Sequence, residues 1–563
     1  MSHQLLPQAP MFRAIPRFVP ITLLVFAGCA GGENTDAGSE TGGTMVVVQP
    51  EPRSVFPPIV SGTEGAVIIG AIFDRLAEIG PGMETSGDKT FSPRLATRWE
   101  WAPDSLSIAF ALDPRARWHD GVPLRANDVR FSFAIYTADT LQSEKKSLLA
   151  NIDSISVRDS LTPVFWFKRR LPSQFFEATY HMYILPAHLL DSIPVGALPS
   201  SSFAQAPVGT GRFRFENWER GASFEVIADT GNARGRAKLD RVIWTFTGDF
   251  GVATVKLFRG DADFYEGIRP DNFEEVAASP NFRLEPYAAL KYEFLSYNLR
   301  KRGDSTEAHP LFGDVNVRRA LAMAVDRVSL ARNVFDTLGN VALSAAPRAM
   351  IPDTAALRQI PFDPANARKL LDSLGWVVNP KDGIRERNGV RFSFGIMAAP
   401  ATQSRPRYAD LLQQQFRAVG IEAQAMRLEG NSLRERVLKR DYDTFLTGWQ
   451  MNPGRLGMAQ TWRSDGEQNF GKYRSAVFDQ LLDSAMTSLR NDLNVQRWTA
   501  VFQRLIDDSP GLWLVESKTP VAIHRRIRTG PLRPDGWQAG IADFTIDPNQ
   551  RIDRDGIGLR SAR

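Results

Sequence analysis

The run Asp441-Tyr-Asp-Thr-Phe-Leu-Thr-Gly-Trp-Gln-Met-Asn-Pro453 constrains this chain more than any other segment, because it reads as a short strand that cannot continue. Phe445 and Leu446 form an apolar centre, Gly448 admits another backbone at close range, and Trp449 offers a flat face. Pro453 has no N–H for further ladder pairing. Two readings fit: a core strand with a packed indole, or a strand end that holds a ligand. Either needs a flanking sheet, and 563 residues are enough for two or three lobes.

The N-terminus carries its own signal. Arg13 and Arg17 precede the apolar run Phe18 to Phe26, too short to span a bilayer stably but the length of a signal-peptide core. It leads into Phe26-Ala27-Gly28-Cys29, which resembles the lipobox of bacterial lipoproteins, with Phe26 where an aliphatic residue is usual. Cys29 is the only cysteine, so no intramolecular disulfide forms, and its expected role is to carry a lipid. Ala30 to Thr44 is rich in Gly, Ser, Thr, Glu and Asp, the composition of a flexible tether.

The body reads as alternating strands and helices. Met45 to Val48 is a short strand, and Ala66 to Leu76 reads as a helix with Ile68, Ile69, Ile72, Phe73 and Leu76 on one face. Ser107 to Leu112 is a strand, followed by a turn at His119-Asp120-Gly121 and a helix from about Ala126 with Asp128 in its first turn. Tyr292 to Asn298 reads as a strand, and Asp314 to Arg327 as one helix with Asp314 as N-cap. Asp363 and Pro364 open a helix that Gly375 follows, Asn388-Gly389 turns a hairpin, and Tyr408 to Val419 is a helix stopped by Gly420.

Within this pattern, Phe91-Ser-Pro-Arg-Leu-Ala-Thr-Arg-Trp-Glu100 followed by Trp118-His-Asp-Gly-Val-Pro-Leu-Arg-Ala-Asn-Asp-Val-Arg-Phe-Ser-Phe133 resembles the signature of the family 5 extracellular solute-binding proteins. These are the peptide, dipeptide and nickel-binding receptors of ABC importers. Arg125 departs from the family's Thr helix cap, at a cost of about 1 kcal/mol if nothing replaces it. Pro207-Val-Gly-Thr-Gly-Arg-Phe213, the segment Phe312 to Arg327, and Asn469, Tyr473 and Phe478-Asp479 continue the likeness. Gly209-x-Gly211 lacks the third glycine and the following helix of a phosphate loop, so it reads as a structural turn.

The resemblance implies an α/β, bilobal periplasmic-binding-protein-like fold, the large three-domain version, with two mixed-sheet lobes around a ligand cleft and a hinge. On this reading, residues 1–28 are the lipoprotein signal peptide and 29–44 the tether. Residues 45–80, 207–285 and 507–563 form lobe 1, 81–206 its accessory domain, and 286–506 lobe 2.

Other chemistries are excluded by what is missing. The charge of +5 comes from 68 basic and 63 acidic residues that are interspersed, which gives no footprint for nucleic acid. Six histidines form no HExxH pair, and no GxSxG elbow or GxxxxGK[ST] loop occurs, so no catalytic residue, metal or cofactor is expected. Asp553-Arg-Asp-Gly556 hints at a calcium loop, but its first and twelfth ligand positions would be Arg551 and Ala562.

The implied function is capture of a small polar solute, a peptide or peptide-like compound, by a monomeric receptor anchored through Cys29 in the bacterial cell envelope. The receptor delivers the solute to an ABC permease. The alternative is a sensor or interaction protein on the same fold without transport. The site carried over by the resemblance is the loop Ser61, Gly62, Thr63 and, across the cleft, Thr447, Gly448 and Trp449. Asn452 stands where peptide binders have an Asp that pairs with the ligand's α-amino group. An amide there supplies no compensating charge, unless an acid such as Glu64 or Asp465 substitutes.

Overall fold

The β-branched run at Met45 is wholly buried, as a strand covered on both faces must be. In the computed structural model, which describes residues 41–60, 62–399 and 404–560, it lies within strand Thr44–Gln49 at the middle of a seven-stranded mixed sheet. This strand runs parallel to Arg241–Phe246 and Phe264–Tyr265, while Ser223–Ala228, Phe213–Glu219, Ala522–His524 and Phe282–Leu284 complete the sheet antiparallel. Helix Thr63–Ile72 follows, starting and ending earlier than its apolar periodicity predicts. Its N-cap is Gly62 at φ 89°, a conformation that carries no pattern of hydrophobicity.

A four-stranded antiparallel sheet, Ala96–Trp101, Ser107–Leu112, Thr162–Phe167 and Ile152–Asp159, is covered by helix Ala126–Thr137. It shares one continuous apolar core with the first sheet, joining Phe110, Trp118 and Phe165 to Met45, Ile72 and Trp244. The helix start is capped from inside: Asp128 accepts from Arg125 N at 2.8 Å and from Ala187 N at 3.0 Å. That is half of a capping box, since an arginine side chain has no acceptor to complete it. The turn at Gly209 and Gly211 is a close approach, because a Cβ on Gly209 would lie 2.0 Å from the carbonyl oxygen of Ile72. His119 ties the same turn, accepting from Gly209 N at 3.1 Å and bonding Gly211 O at 2.9 Å.

A six-stranded sheet forms the other half, in the order Gly339–Val341, Gly511–Ser517, Lys291–Tyr297, Thr444–Gln450, Ser393–Ala398, Glu422–Arg427. Its core is a separate aromatic cluster that includes Phe294, Trp462 and Trp513. The helix expected over Asp314 to Arg327 spans Val315–Met323, and a second helix, Arg327–Phe335, begins where Asp326 caps a new start by accepting from Ser329 N at 2.9 Å. Strand Gly511–Ser517, assigned above to the first lobe, pairs instead with Lys291–Tyr297 inside the second sheet. Its residues are buried throughout, as suits a strand with neighbours on both edges.

The chain passes between the two sheets along two adjacent crossings, residues 285–290 and 518–521. They run antiparallel, and Tyr287 and Thr519 exchange backbone hydrogen bonds of 3.0 and 2.8 Å. Among the described residues no helix is long and apolar enough to cross a membrane. Residues 1–40, where the signal peptide, the lipid-bearing Cys29 and most of the tether are expected, lie outside the described residues.

Candidate ligand cleft

Strand Thr444–Gln450 is held along one edge by Lys291–Tyr297 over its whole length, from Lys291 opposite Gln450 to Tyr297 opposite Thr444. On its other edge, Ser393–Ala398 pairs only with Thr444 and Phe445. Beyond Phe445 no described strand pairs with that edge.

The strand end opens onto a cavity of about 940 Å³ between the six-stranded sheet and the four-stranded domain. Tyr292, Trp449, Met451, Asn452, Met458 and Trp462 line it from one side. From the other side come Phe133, Ser143, Glu144, Ser147, Leu149 and Asp153. Aromatic and thioether side chains share these walls with about as many polar ones, Lys146, Lys168 and Gln450 among them, which suits a polar organic solute, and the volume lies in the range of small-molecule sites.

Of the residues expected from the sequence, Trp449 and Asn452 line this cavity. Trp449 stacks on Phe470 with ring centres 6.5 Å apart and planes 13° from parallel. Asn452 Oδ1 accepts from Gly454 N at 2.8 Å, which turns the chain sharply after the strand. Thr447 and Gly448 are paired with Phe294 and Glu293 and are not among the cavity's lining. A Cβ on Gly448 would meet Tyr292 O at 2.7 Å, so this glycine serves the close approach of the neighbouring strand. Gly62 and Thr63, at the start of their helix, are not among the cavity's lining, and Ser61 lies outside the described residues.

Glu64 and Asp465, considered as substitutes for the missing acid, do not line the cavity, and Asp465 is paired with Arg463 at 2.9 Å. The lining carboxylates are Glu144, Asp153 and Glu467, all exposed. No motif marks these three. The one signal within reach was Glu467 and Gln468 beside Asn469, a position already matched to the family.

The two sides touch around the cavity. Gln460 Nε2 donates to Ser147 Oγ at 3.2 Å, and Asn494 Nδ2 to Ser86 Oγ at 3.1 Å. Gly454 sits against Phe176, where a Cβ would come within 2.6 Å of the ring. Arg455 lies in the same contact over Trp498, its charged form disfavoured by burial and favoured by Glu84 across the boundary. Among the described residues no three His, Cys, Asp or Glu side chains converge as metal ligands would.

Comparison with known proteins gives the same architecture. Residues 90–470 match the model of the bacterial extracellular solute-binding proteins, family 5, middle region. The oligopeptide-binding protein AppA of Bacillus subtilis is 25% identical over 405 residues, 71% of this chain and 73% of its own. The di/tripeptide-binding protein 1 of Pseudomonas aeruginosa is 24% identical over 452 residues, 76% of this chain and 79% of its own. Among solved structures, AppA from Bacillus subtilis in complex with a nonapeptide superimposes with a TM-score of 0.75 at 22% identity, covering 90% of this chain and 99% of that one. NikZ from Campylobacter jejuni in complex with Ni(L-His) gives 0.75 at 22% identity, covering 89% of this chain and 99% of that one. The fold is therefore the bilobal α/β periplasmic-binding architecture, and the chain belongs to family 5 of the bacterial extracellular solute-binding proteins.

Proposed function

We propose that this protein is a lipid-anchored extracytoplasmic receptor that binds a small peptide or peptide-like solute between its lobes and passes it to an ABC permease without transforming it. The observation that carries the reading is the cavity at the end of strand Thr444–Gln450, with Trp449 and Asn452 on its wall and, beside it, a strand edge with which no described strand pairs. An extended solute can add to such an edge through backbone hydrogen bonds, which makes Thr447 and Gly448 main-chain contacts rather than cavity lining. The loop Ser61, Gly62, Thr63 is the matching contact from the first lobe. The lobes in this scheme are residues 45–80, 207–285 and the chain after the second crossing, with 81–206 attached to them, against residues 286–517. The protein works as a monomer, held to the membrane by lipid on Cys29.

The deciding experiment is a thermal-shift screen of the purified protein over peptides, amino acids, sugars and metal chelates. A ligand at 100 times its Kd adds about 2.7 kcal/mol to stability. Peptide hits with a smaller radius of gyration in solution scattering support capture by closure. Silence from every class, with unchanged scattering, favours the sensor or interaction protein. Mass spectrometry of the membrane-extracted protein tests the anchor, and an N-terminus without acyl mass on Cys29 rejects it.

A further inference from the structure

The head of strand Thr44–Gln49 gathers segments that are far apart in the chain. Thr44 N donates to Asp555 Oδ1 at 2.8 Å, and Thr44 O accepts from Arg526 Nη2 at 2.8 Å. Gly42 N donates to Lys238 O at 2.7 Å, while Arg554 donates to Gly260 O at 2.8 Å and to Asp263 at 2.7 Å. Arg525 N donates to Asn281 O at 2.7 Å, and Arg241, paired with Thr44 in the sheet, donates to Arg560 O. These bonds bring Lys238, Arg259, Arg525, Arg560 and the turn Asp553–Ile557 to one end of the seven-stranded sheet.

The crossings lie at the other end of that sheet. Val48 stands beside Tyr265, Tyr265 opposite Ala522, and Ala522 opposite Leu284, the last residue before the first crossing. The Thr44 end therefore takes no part in the passage between the lobes. It is also where the chain comes in: the carbonyl of Thr41 accepts from Arg551 Nη2 at 2.8 Å. Cys29 is twelve residues earlier, and twelve residues span at most about 40 Å. Lipid on Cys29 thus keeps this end of the sheet within about that distance of a bilayer.

This end carries exposed cations in excess. Lys238, Arg259, Arg525 and Arg560 are exposed, and among the described residues no carboxylate pairs with their side chains. Of the acids around them, Asp240, Asp263, Asp547 and Asp555 are each held by an arginine, which leaves Asp261 and Asp553 exposed against the four cations. Ile552 and Ile557, 44% and 37% exposed, stand at the two ends of the turn among them. Cations around exposed branched side chains suit a bilayer surface, where they meet lipid phosphates while the apolar groups enter the headgroup boundary. An anchor on the same chain raises the effective concentration of headgroups, so contacts too weak to hold a free protein suffice.

We propose that the Thr44 end of the first sheet is a seat for anionic lipid headgroups, contacted by Lys238, Arg259, Arg525, Arg560 and the two isoleucines. The idea rests on the anchored-receptor reading above and adds a posture, in which the receptor lies on the bilayer by the end of the sheet opposite the crossings.

The test is amine-reactive footprinting of the membrane-extracted full-length protein, reconstituted with phosphatidylcholine vesicles with and without phosphatidylglycerol. Mass spectrometry reads the labelling of Lys238 and of Lys518, an exposed lysine in the second crossing. Lys238 labelling should fall about fivefold or more in the anionic vesicles and recover at high salt, while Lys518 is unchanged. Arg259→Glu and Arg525→Glu, each reversing one exposed charge, should restore most of the labelling. Equal labelling of Lys238 in both vesicles, with acyl mass present on Cys29, overturns the seat and leaves the anchor standing. Protection in the anionic vesicles of protein that carries no acyl mass supports the seat and removes the anchor. Protection in native membranes that neither vesicle reproduces assigns the face to a membrane protein and overturns the seat, as does protection that survives both variants.

Discussion

Gly454→Ala isolates the contact between the lobes from the stability of either one. Gly454 follows the turn after the cleft strand, and a Cβ there would stand 2.6 Å from a ring carbon of Phe176 in the opposite lobe. Carbon atoms pack best at about 3.5–4.0 Å, so roughly 1 Å of separation must be found. Phe176 cannot supply it by swinging aside. It is 1% exposed, stacked on Tyr180 at 4.7 Å and edge-on to His181 at 5.0 Å. Overpacking of this kind costs about 1–3 kcal/mol, and here it falls on the closed arrangement alone. Closure is part of binding, so affinity should drop about 5- to 150-fold while the unliganded melting temperature stays near that of the parent. Calorimetry with the best peptide from the screen measures the first, and scattering should show a larger radius of gyration with ligand. The added methyl would also come within 2.9 Å of Asn452 Oδ1. Phe176→Leu in the same chain separates the two causes, because it relieves only the ring contact and should restore closure. Unchanged affinity together with unchanged scattering would refute the argument that this contact gates the cleft.

Three further expectations follow from buried polar groups. Asp263→Ala should cost about 3 kcal/mol in chemical denaturation, because it takes hydrogen bonds at 2.7 and 2.9 Å from the buried Arg526 and one at 2.7 Å from Arg554, leaving Asp555 to hold Arg526; a loss under about 1 kcal/mol would show the hub to be dispensable. His181, held near 3 in the folded protein against an ordinary 6.5, stays neutral while the unfolded chain takes up its proton, so this group makes stability fall as pH drops from 6.5 toward 3. The loss between pH 7 and pH 4.5 is on the order of 2–3 kcal/mol, and His181→Gln should flatten the acid limb; an unaltered slope assigns the sensitivity elsewhere. Asn452→Asp keeps the acceptor for Gly454 N and adds a charge at the cavity, so free-amine peptides should gain about 1–2 kcal/mol over N-acetylated ones in calorimetry, and no gain removes Asn452 from the ligand's reach.

The parts of the fold that were legible are those fixed by neighbours a few residues away. Asp314 and Asp363 cap their helices by accepting from Asn316 N and Asn366 N at 2.9 Å, and Asn388-Gly389 turns its hairpin with both residues at positive φ. The break at Asp326 escaped because apolar periodicity continues through it, while the cap that restarts the helix is a single side chain. Sheet membership of Gly511–Ser517 was not legible for a different reason. The strand follows helix Asn491–Asp508, whose apolar side belongs to the second lobe's core, and nothing local distinguishes a strand before the crossing from one after it.

The same distinction separates the two halves of the site. Trp449 and Asn452 could be placed from sequence because the strand that carries them ends in its own signal, a glycine, an aromatic and a proline within seven residues. The meeting of the two walls could not, because it depends on pairs such as Gln460 with Ser147, 313 positions apart, and Asn494 with Ser86, 408 positions apart, which no local pattern announces.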